Sequence, residues 1–149
     1  MIVQPCTVAE IQAAPEFVAQ ALEYAASAQV DGMPPLAPDW ESYARLEAAG
    51  LLHGWSAREE GRVVGYISII VSIHPRCTQL LAMTEGWFVC GEHRSTGAGL
   101  KLLKAAEERA IALTGGRLLV SAPVDSELAR ALPRLGYREV SQVFFKVTA

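Results

Sequence analysis

The residues best placed to do chemistry lie in the run Arg94-Ser95-Thr96-Gly97-Ala98-Gly99. An apolar stretch rich in aromatic and β-branched residues ends just before it at Val89, and a helical pattern opens just behind it. A strand, a glycine turn and a fresh helix N-terminus put unpaired backbone N–H groups and the positive end of a helix dipole at one point, which favours an anion there. Glycine has no Cβ, so phosphate oxygens can approach the main chain at Gly97 and Gly99. The spacing predicts a diphosphate cradle. A dinucleotide fingerprint is excluded because its third small residue would fall at Leu102, and no Gly-Lys-Ser or Gly-Lys-Thr tripeptide exists to make a P-loop.

Arg94-Ser95-Thr96-Gly97-Ala98-Gly99 resembles the Arg/Gln-x-x-Gly-x-Gly/Ala signature of the GNAT superfamily of N-acetyltransferases. The flanking Glu85-Gly86-Trp87-Phe88-Val89-Cys90-Gly91-Glu92-His93-Arg94 is similar to the family's Glu-x-x-aromatic-Val-x-Pro-Glu-Tyr-Arg run, and Leu132-Pro133-Arg134-Leu135-Gly136-Tyr137 to its Leu-Gly-aromatic corner. Arg62-Val63-Val64-Gly65 resembles the strand opening that precedes the signature in many members. The likeness covers residues 60 to 149 well and the first third by element order alone.

The resemblance implies an acetyl-CoA-dependent N-acetyltransferase that moves an acetyl group directly to a primary amine, with a small-molecule amine or an exposed amino group as acceptor. It implies that coenzyme A is held by the main chain of Trp87, Phe88 and Val89 and by Arg94, Ser95, Thr96, Gly97, Ala98 and Gly99. For the Arg94 side chain two readings stand: contact with phosphate, or bracing of the loop against a carboxylate such as Glu92. Glu85 is the candidate catalytic base, at the start of the strand that carries the cradle. Members that protonate the leaving thiolate with tyrosine carry it four residues before the corner glycine, where this chain has Leu132. Ser121, Tyr66 or a water remain as substitutes, and Tyr137 reads as packing.

Acceptor-side candidates are Asp31, Met33, Trp40 and His74. The Asp31–Trp40 segment corresponds to a loop that covers the acceptor pocket in many members, its carboxylates suited to an amine and Met33 and Trp40 to apolar walls. His74, with Pro75 and Arg76, lies in the connection before the cradle strand. Lys101 and Lys104 could meet an outer phosphate or simply face solvent. Cys90 has no histidine in a defined relation to it and reads as a buried thiol rather than a nucleophile. His53, His74 and His93 lack ligand spacing, so no metal is expected. Two rival readings remain: a non-catalytic acyl-CoA-binding module of the same fold, and a phosphate- or nucleotide-binding protein unrelated to acetyl transfer.

The elements that must position these residues follow from pattern. A short strand at Ile2-Val3 precedes Thr7, with Glu10 completing a capping box. A helix runs through Phe17, Val18, Ala21, Leu22 and Tyr24, kinked or restarted at Pro15. Asp39 caps a second helix ending near Gly50. Leu51–Arg58 and Arg62–Ile73 form a hairpin, and Leu80–Val89 the cradle strand. An amphipathic helix carries Leu103, Ala106, Ala110 and Leu113 inward and stops at Gly115-Gly116. Arg117–Ala122 is a further strand, Asp125 or Ser126 caps a short helix ending at Gly136, and Val143–Val147 closes the sheet. The expected fold is α/β of mixed type: a GNAT-like, mostly antiparallel sheet flanked by helices, with a bulge or splay between the strands ending at Val89 and starting at Arg117.

With 149 residues, 51% hydrophobic and 19% charged, the chain reads as one globular domain, residues 1–149. A formal net charge of −3 argues against nucleic-acid or anionic-membrane partners. Three cysteines, an odd count without ligand spacing, fit a reduced cytoplasmic setting, and no apolar run is long enough to span a membrane. An exposed edge at the closing strand would allow a homodimer.

Overall fold

A computed structural model describes residues 1–74 and 77–148. Strand β1 (Ile2–Pro5) leads into α1 (Val8–Gln12), started by Thr7, whose side chain accepts from the Glu10 N–H at 3.1 Å while the Glu10 carboxylate accepts from the Thr7 N–H at 2.7 Å. The capping box is therefore closed in both directions. The helix does not continue to Tyr24 in one piece. Pro15 cannot donate a backbone hydrogen bond, the chain breaks after Gln12, and α2 (Phe17–Ala28) begins two residues beyond the proline. Asp39 caps α3 (Trp40–Ala48) by accepting from the Ser42 N–H at 3.1 Å.

The sheet follows in chain order: β2 (Leu52–Glu59), β3 (Arg62–His74), β4 (Gln79–Val89) and β5 (Leu118–Leu119), with β1 on the outer side of β2. Every neighbouring pair is antiparallel except β4 and β5, which run parallel. Between β4 and β5 lie a 3-10 turn, Gly91–Thr96, and helix α4 (Ala98–Thr114). Ser126 then caps α5 (Glu127–Ala131), which tightens into a 3-10 turn, Leu132–Leu135.

Alternation along β3 divides the sheet's two faces. Ile67, Ile69 and Val71 join Trp55, Ala57 and Ala82 in the buried cluster that α4 completes with Leu102, Leu103, Ala106 and Ala110. Tyr66 and Ser68 point the other way, toward α2, where the Tyr24 ring meets Tyr66 with centroids 6.4 Å apart. Gly65 lets β3 and β4 approach closely, since a Cβ there would sit 2.7 Å from the Phe88 carbonyl oxygen.

Two expectations are corrected. The strand anticipated over Arg117–Ala122 pairs only at Leu118 and Leu119. Residues 143–147 form no strand: Val143 and Phe144 are largely exposed, and Val147 and Phe145 lie against Gly32 rather than on the sheet. A two-residue β5 offers too short a ladder to seed another strand, and an apolar run without an edge to pair with stays irregular. Among the described residues no helix is long and apolar enough to cross a membrane.

Leu102 is fully buried at the centre of α4's inner face. Leu102→Ala is expected to lower unfolding free energy by about 3 kcal/mol, read from urea denaturation with the slope unchanged.

Candidate functional site

Strand β4 changes phase at Glu85. Ser68 pairs with Gly86 and Ile69 with Thr84, so Glu85 is left without a partner as the extra residue of a bulge. Trp87 and Val89 face α4, where they approach Gly99. Strict alternation would send Glu85 to that same face. The extra residue reverses the parity, and Glu85 emerges beside Gly86 on the opposite face, in a cavity of about 530 Å3. There its Oε1 accepts a hydrogen bond from the Tyr43 hydroxyl of α3 at 2.6 Å.

The cavity lies between the sheet and α1–α3, and aromatic rings form much of its wall. Phe17 and Trp40 meet edge to face with centroids 5.5 Å apart, and Trp40 and Tyr43 lie 5.7 Å apart. Tyr24 and Tyr66 continue the wall toward Phe88, which packs 5.7 Å from Tyr66. Burial first, and then the hydrogen bond to Glu85, pushes the Tyr43 phenol well above its ordinary value, so it stays a proton donor to that carboxylate across the neutral range. Burial pushes Tyr66 up to about 12, the Tyr24 hydroxyl adding to the shift.

At the far end of β4 the chain enters the Gly91–Thr96 turn, and Gly97 at φ 80° redirects it into α4. That left-handed conformation is open to glycine and strained for other residues, and the space beside Gly97 is empty. Glu23 of α2 organises the turn. Its Oε1 accepts from the Gly91 N–H at 3.0 Å and from the Arg94 guanidinium at 2.9 Å, while Arg94 Nε also donates to the Val89 carbonyl at 3.0 Å. The Thr96 hydroxyl donates to the His93 carbonyl at 2.7 Å, and the His93 ring sits 3.0 Å from Glu59. Arg94 is thus directed to α2 and β4. The bracing carboxylate is Glu23, not Glu92.

Beyond Met83, β4 no longer pairs with β5, although it runs on to Val89. The Ser121 N–H reaches across to the Thr84 hydroxyl at 3.0 Å. The main chain of Trp87, Phe88 and Val89 lies beyond the last β4–β5 pair, between the bulge and the turn.

Of the acceptor-side candidates, Trp40 lines the cavity together with Leu36 and Pro38, whereas Asp31 and Met33 do not and are exposed in the preceding loop. His74 ends β3, paired with Gln79, and is not part of the cavity wall. Pro75 and Arg76 lie outside the described residues. Leu132 is buried and cannot donate a proton. The Tyr137 hydroxyl donates to Glu107 at 2.7 Å, and burial together with that bond raises its pKa. Cys90 donates to the Val64 carbonyl at 2.8 Å, and burial holds its thiol above the ordinary value, which disfavours a thiolate nucleophile. Among the described residues no group of acidic, histidine and cysteine side chains could hold a metal. Glu23 and Tyr43 went unforeseen. Both sit one or more elements away from their partners, and the only sequence trace of Glu23 is a carboxylate on a helix otherwise poor in charge.

A family model described as the acetyltransferase (GNAT) family matches residues 17–137. The chain belongs to that family. No curated protein sequence matches it. Solved structures do. A ribosomal-protein-alanine N-acetyltransferase from Brucella melitensis biovar Abortus 2308 superposes with a TM-score of 0.69 at 17% identity, covering 100% of both chains. Aminoglycoside 6'-N-acetyltransferase AAC(6')-Ig from Acinetobacter haemolyticus gives 0.67 at 18% identity, with 100% of this chain and 99% of that one covered. An aminoglycoside acetyltransferase from an uncultured soil metagenomic sample, in complex with sisomicin, gives 0.68 at 17% identity over 99% of this chain and 96% of the other. At these identities the likeness is one of fold.

The Glu23 contact gives a structural prediction. Glu23→Ala removes the acceptor for both Gly91 and Arg94, and the Gly91 amide is expected to exchange with solvent about tenfold faster, read by hydrogen exchange. Unchanged protection would mean the turn is held without it.

Proposed function

We propose that this acetyltransferase moves an acetyl group from acetyl-CoA to the primary amine of an acceptor by direct attack. The observation that carries the reading is the placement of one strand: β4 aims Glu85 into an aromatic cavity through its bulge and, past Val89, delivers the chain into a glycine turn at a helix N-terminus. The cofactor fits this chain on two counts. Gly97 takes the left-handed turn with open space beside it, and α4 is a 17-residue helix whose first amides and positive dipole end face that space. When bound, acetyl-CoA supplies an acetyl group activated as a thioester.

The main chain of Ser95, Thr96, Gly97, Ala98 and Gly99 would hold the diphosphate, and the unpaired edge of Trp87–Val89 would hold the pantetheine arm through backbone hydrogen bonds. Arg94, occupied by Glu23 and the Val89 carbonyl, acts as a brace. Glu85, fixed by Tyr43, accepts the proton that the amine nitrogen gives up as its bond to the acetyl carbon forms and the carbon–sulfur bond breaks. The buried Leu132 has no proton to give a leaving thiolate, so Ser121, Tyr66 or a water would supply it. The alternative is an acyl-CoA-binding module without turnover, and Leu132 is the residue that favours it.

Thiol release across a panel of amines, beside calorimetry with acetyl-CoA, tests the reading. Glu85→Gln is expected to lower kcat about 100-fold with cofactor affinity unchanged, since a positioned base contributes on that order. Tyr43→Phe, which frees the carboxylate to rotate, is expected to lower kcat about tenfold at unchanged KM for acetyl-CoA. Turnover by Glu85→Gln equal to the parent would remove Glu85 from the reaction. Cofactor binding with no thiol release from any amine would establish the binding module instead.

A further inference from the structure

We infer that the acceptor is a primary amine carrying at most two positive charges on an aromatic or bulky apolar body, and not a polyamine or an aminoglycoside; the inference rests on the acetyl-transfer reading above. The cavity around Glu85 has the volume of a site for a drug-sized ligand, about 530 Å3. Its wall combines the rings of Phe17, Trp40, Tyr24, Tyr43 and Tyr66 with aliphatic side chains such as Leu36. Such rings offer flat apolar area and attract one cation over a face.

Charge decides between acceptor classes. Among the described residues lining the cavity the only side chains of formal charge at neutral pH are Glu85 and Glu47, and there is no lysine, arginine or histidine. Glu47 is already engaged, its Oε1 accepting from the Val8 N–H at 3.0 Å at the start of α1. Two carboxylates at most can meet cationic groups here, each already accepting one hydrogen bond from a neutral donor, and Glu85 must also receive the amine's proton, so an acceptor with three or more ammonium groups exceeds the counter-charge of the wall. An acceptor with several ammonium groups would press the others against aromatic and aliphatic walls without counter-charge, which is costly for each ion. The loop acids do not supply the deficit, because Asp31 lies off the cavity and Asp39 caps α3. At the mouth, Val18 and Leu22 are 68% and 69% exposed, an apolar rim with nothing in the described structure packed over it. An apolar body entering amine-first would cover them.

The test uses 2-phenylethylamine, spermidine and kanamycin with the intact protein. Binding is followed by quenching of tryptophan fluorescence, which Trp40 and Trp55 report from the cavity wall. Turnover is followed by thiol release from acetyl-CoA. Half-saturation with 2-phenylethylamine is expected at a concentration about tenfold or more below that of either polyamine, with kcat/KM ordered the same way. Leu22→Lys, at an exposed rim position that folding does not depend on, is expected to weaken 2-phenylethylamine binding about fivefold through charge repulsion, and Leu22→Met to leave it intact. Preferred binding and turnover of kanamycin or spermidine would overturn the acceptor class and leave acetyl transfer standing. Binding of 2-phenylethylamine without thiol release from any amine would uphold the class and count against catalysis. No quenching by 2-phenylethylamine would overturn the inference outright.

Discussion

The bulge in β4 is the constraint on which the rest of the site depends. A strand has two faces, and successive side chains must divide between them. β4 serves both: Trp87 and Val89 pack toward α4, and Glu85 and Gly86 open into the cavity under α2 and α3. One unpaired residue reverses the parity midway, so Ala82 before it and Trp87 and Val89 after it share the α4 face while Glu85 and Gly86 both open into the cavity. The same strand then outruns its parallel neighbour. Its last residues pair with β3 and not with β5.

Two tertiary contacts keep this arrangement in register. The short bond from Tyr43 anchors the carboxylate to α3, and Glu23 ties the glycine turn to α2. The helices on the cavity face therefore do more than cover the sheet: each holds one end of the site. Glu23 also takes the Arg94 guanidinium, so the positive character of the turn comes from main-chain amides and the α4 dipole more than from a side chain. Partner exposure at this pair is considerable, and its value lies in geometry rather than in free energy.

Much of this was legible in the sequence where the signal is local. The Thr7–Glu10 box, the Asp39 cap and the left-handed glycines at 97, 115 and 136 are decided within a few residues and stand where the pattern put them, and of Asp125 and Ser126 it is Ser126 that caps α5. The strand, turn and helix around Gly97, the amphipathic α4 and the family followed from the same kind of signal. Contacts between distant segments were not legible. Nothing near Glu85 announces Tyr43, nothing near Arg94 announces Glu23, and a bulge is a property of pairing rather than of one strand. The run Val143–Val147 has the composition of a strand, yet composition does not provide an edge, and these side chains rest against Gly32 instead. The loop acids and the true cavity wall parted for a similar reason: Leu36 and Pro38, not Asp31 and Met33, lie where the chain turns inward to Trp40.

In the proposed reaction, main-chain amides at the α4 N-terminus would grip the diphosphate of acetyl-CoA. An NMR titration of the isotope-labelled protein with acetyl-CoA measures those amides one by one. Saturable shifts are expected to be largest at residues 95–99, with a second set at 87–89 and little change in α5. Saturation without movement of the 95–99 amides, or no saturable change at all, would contradict it.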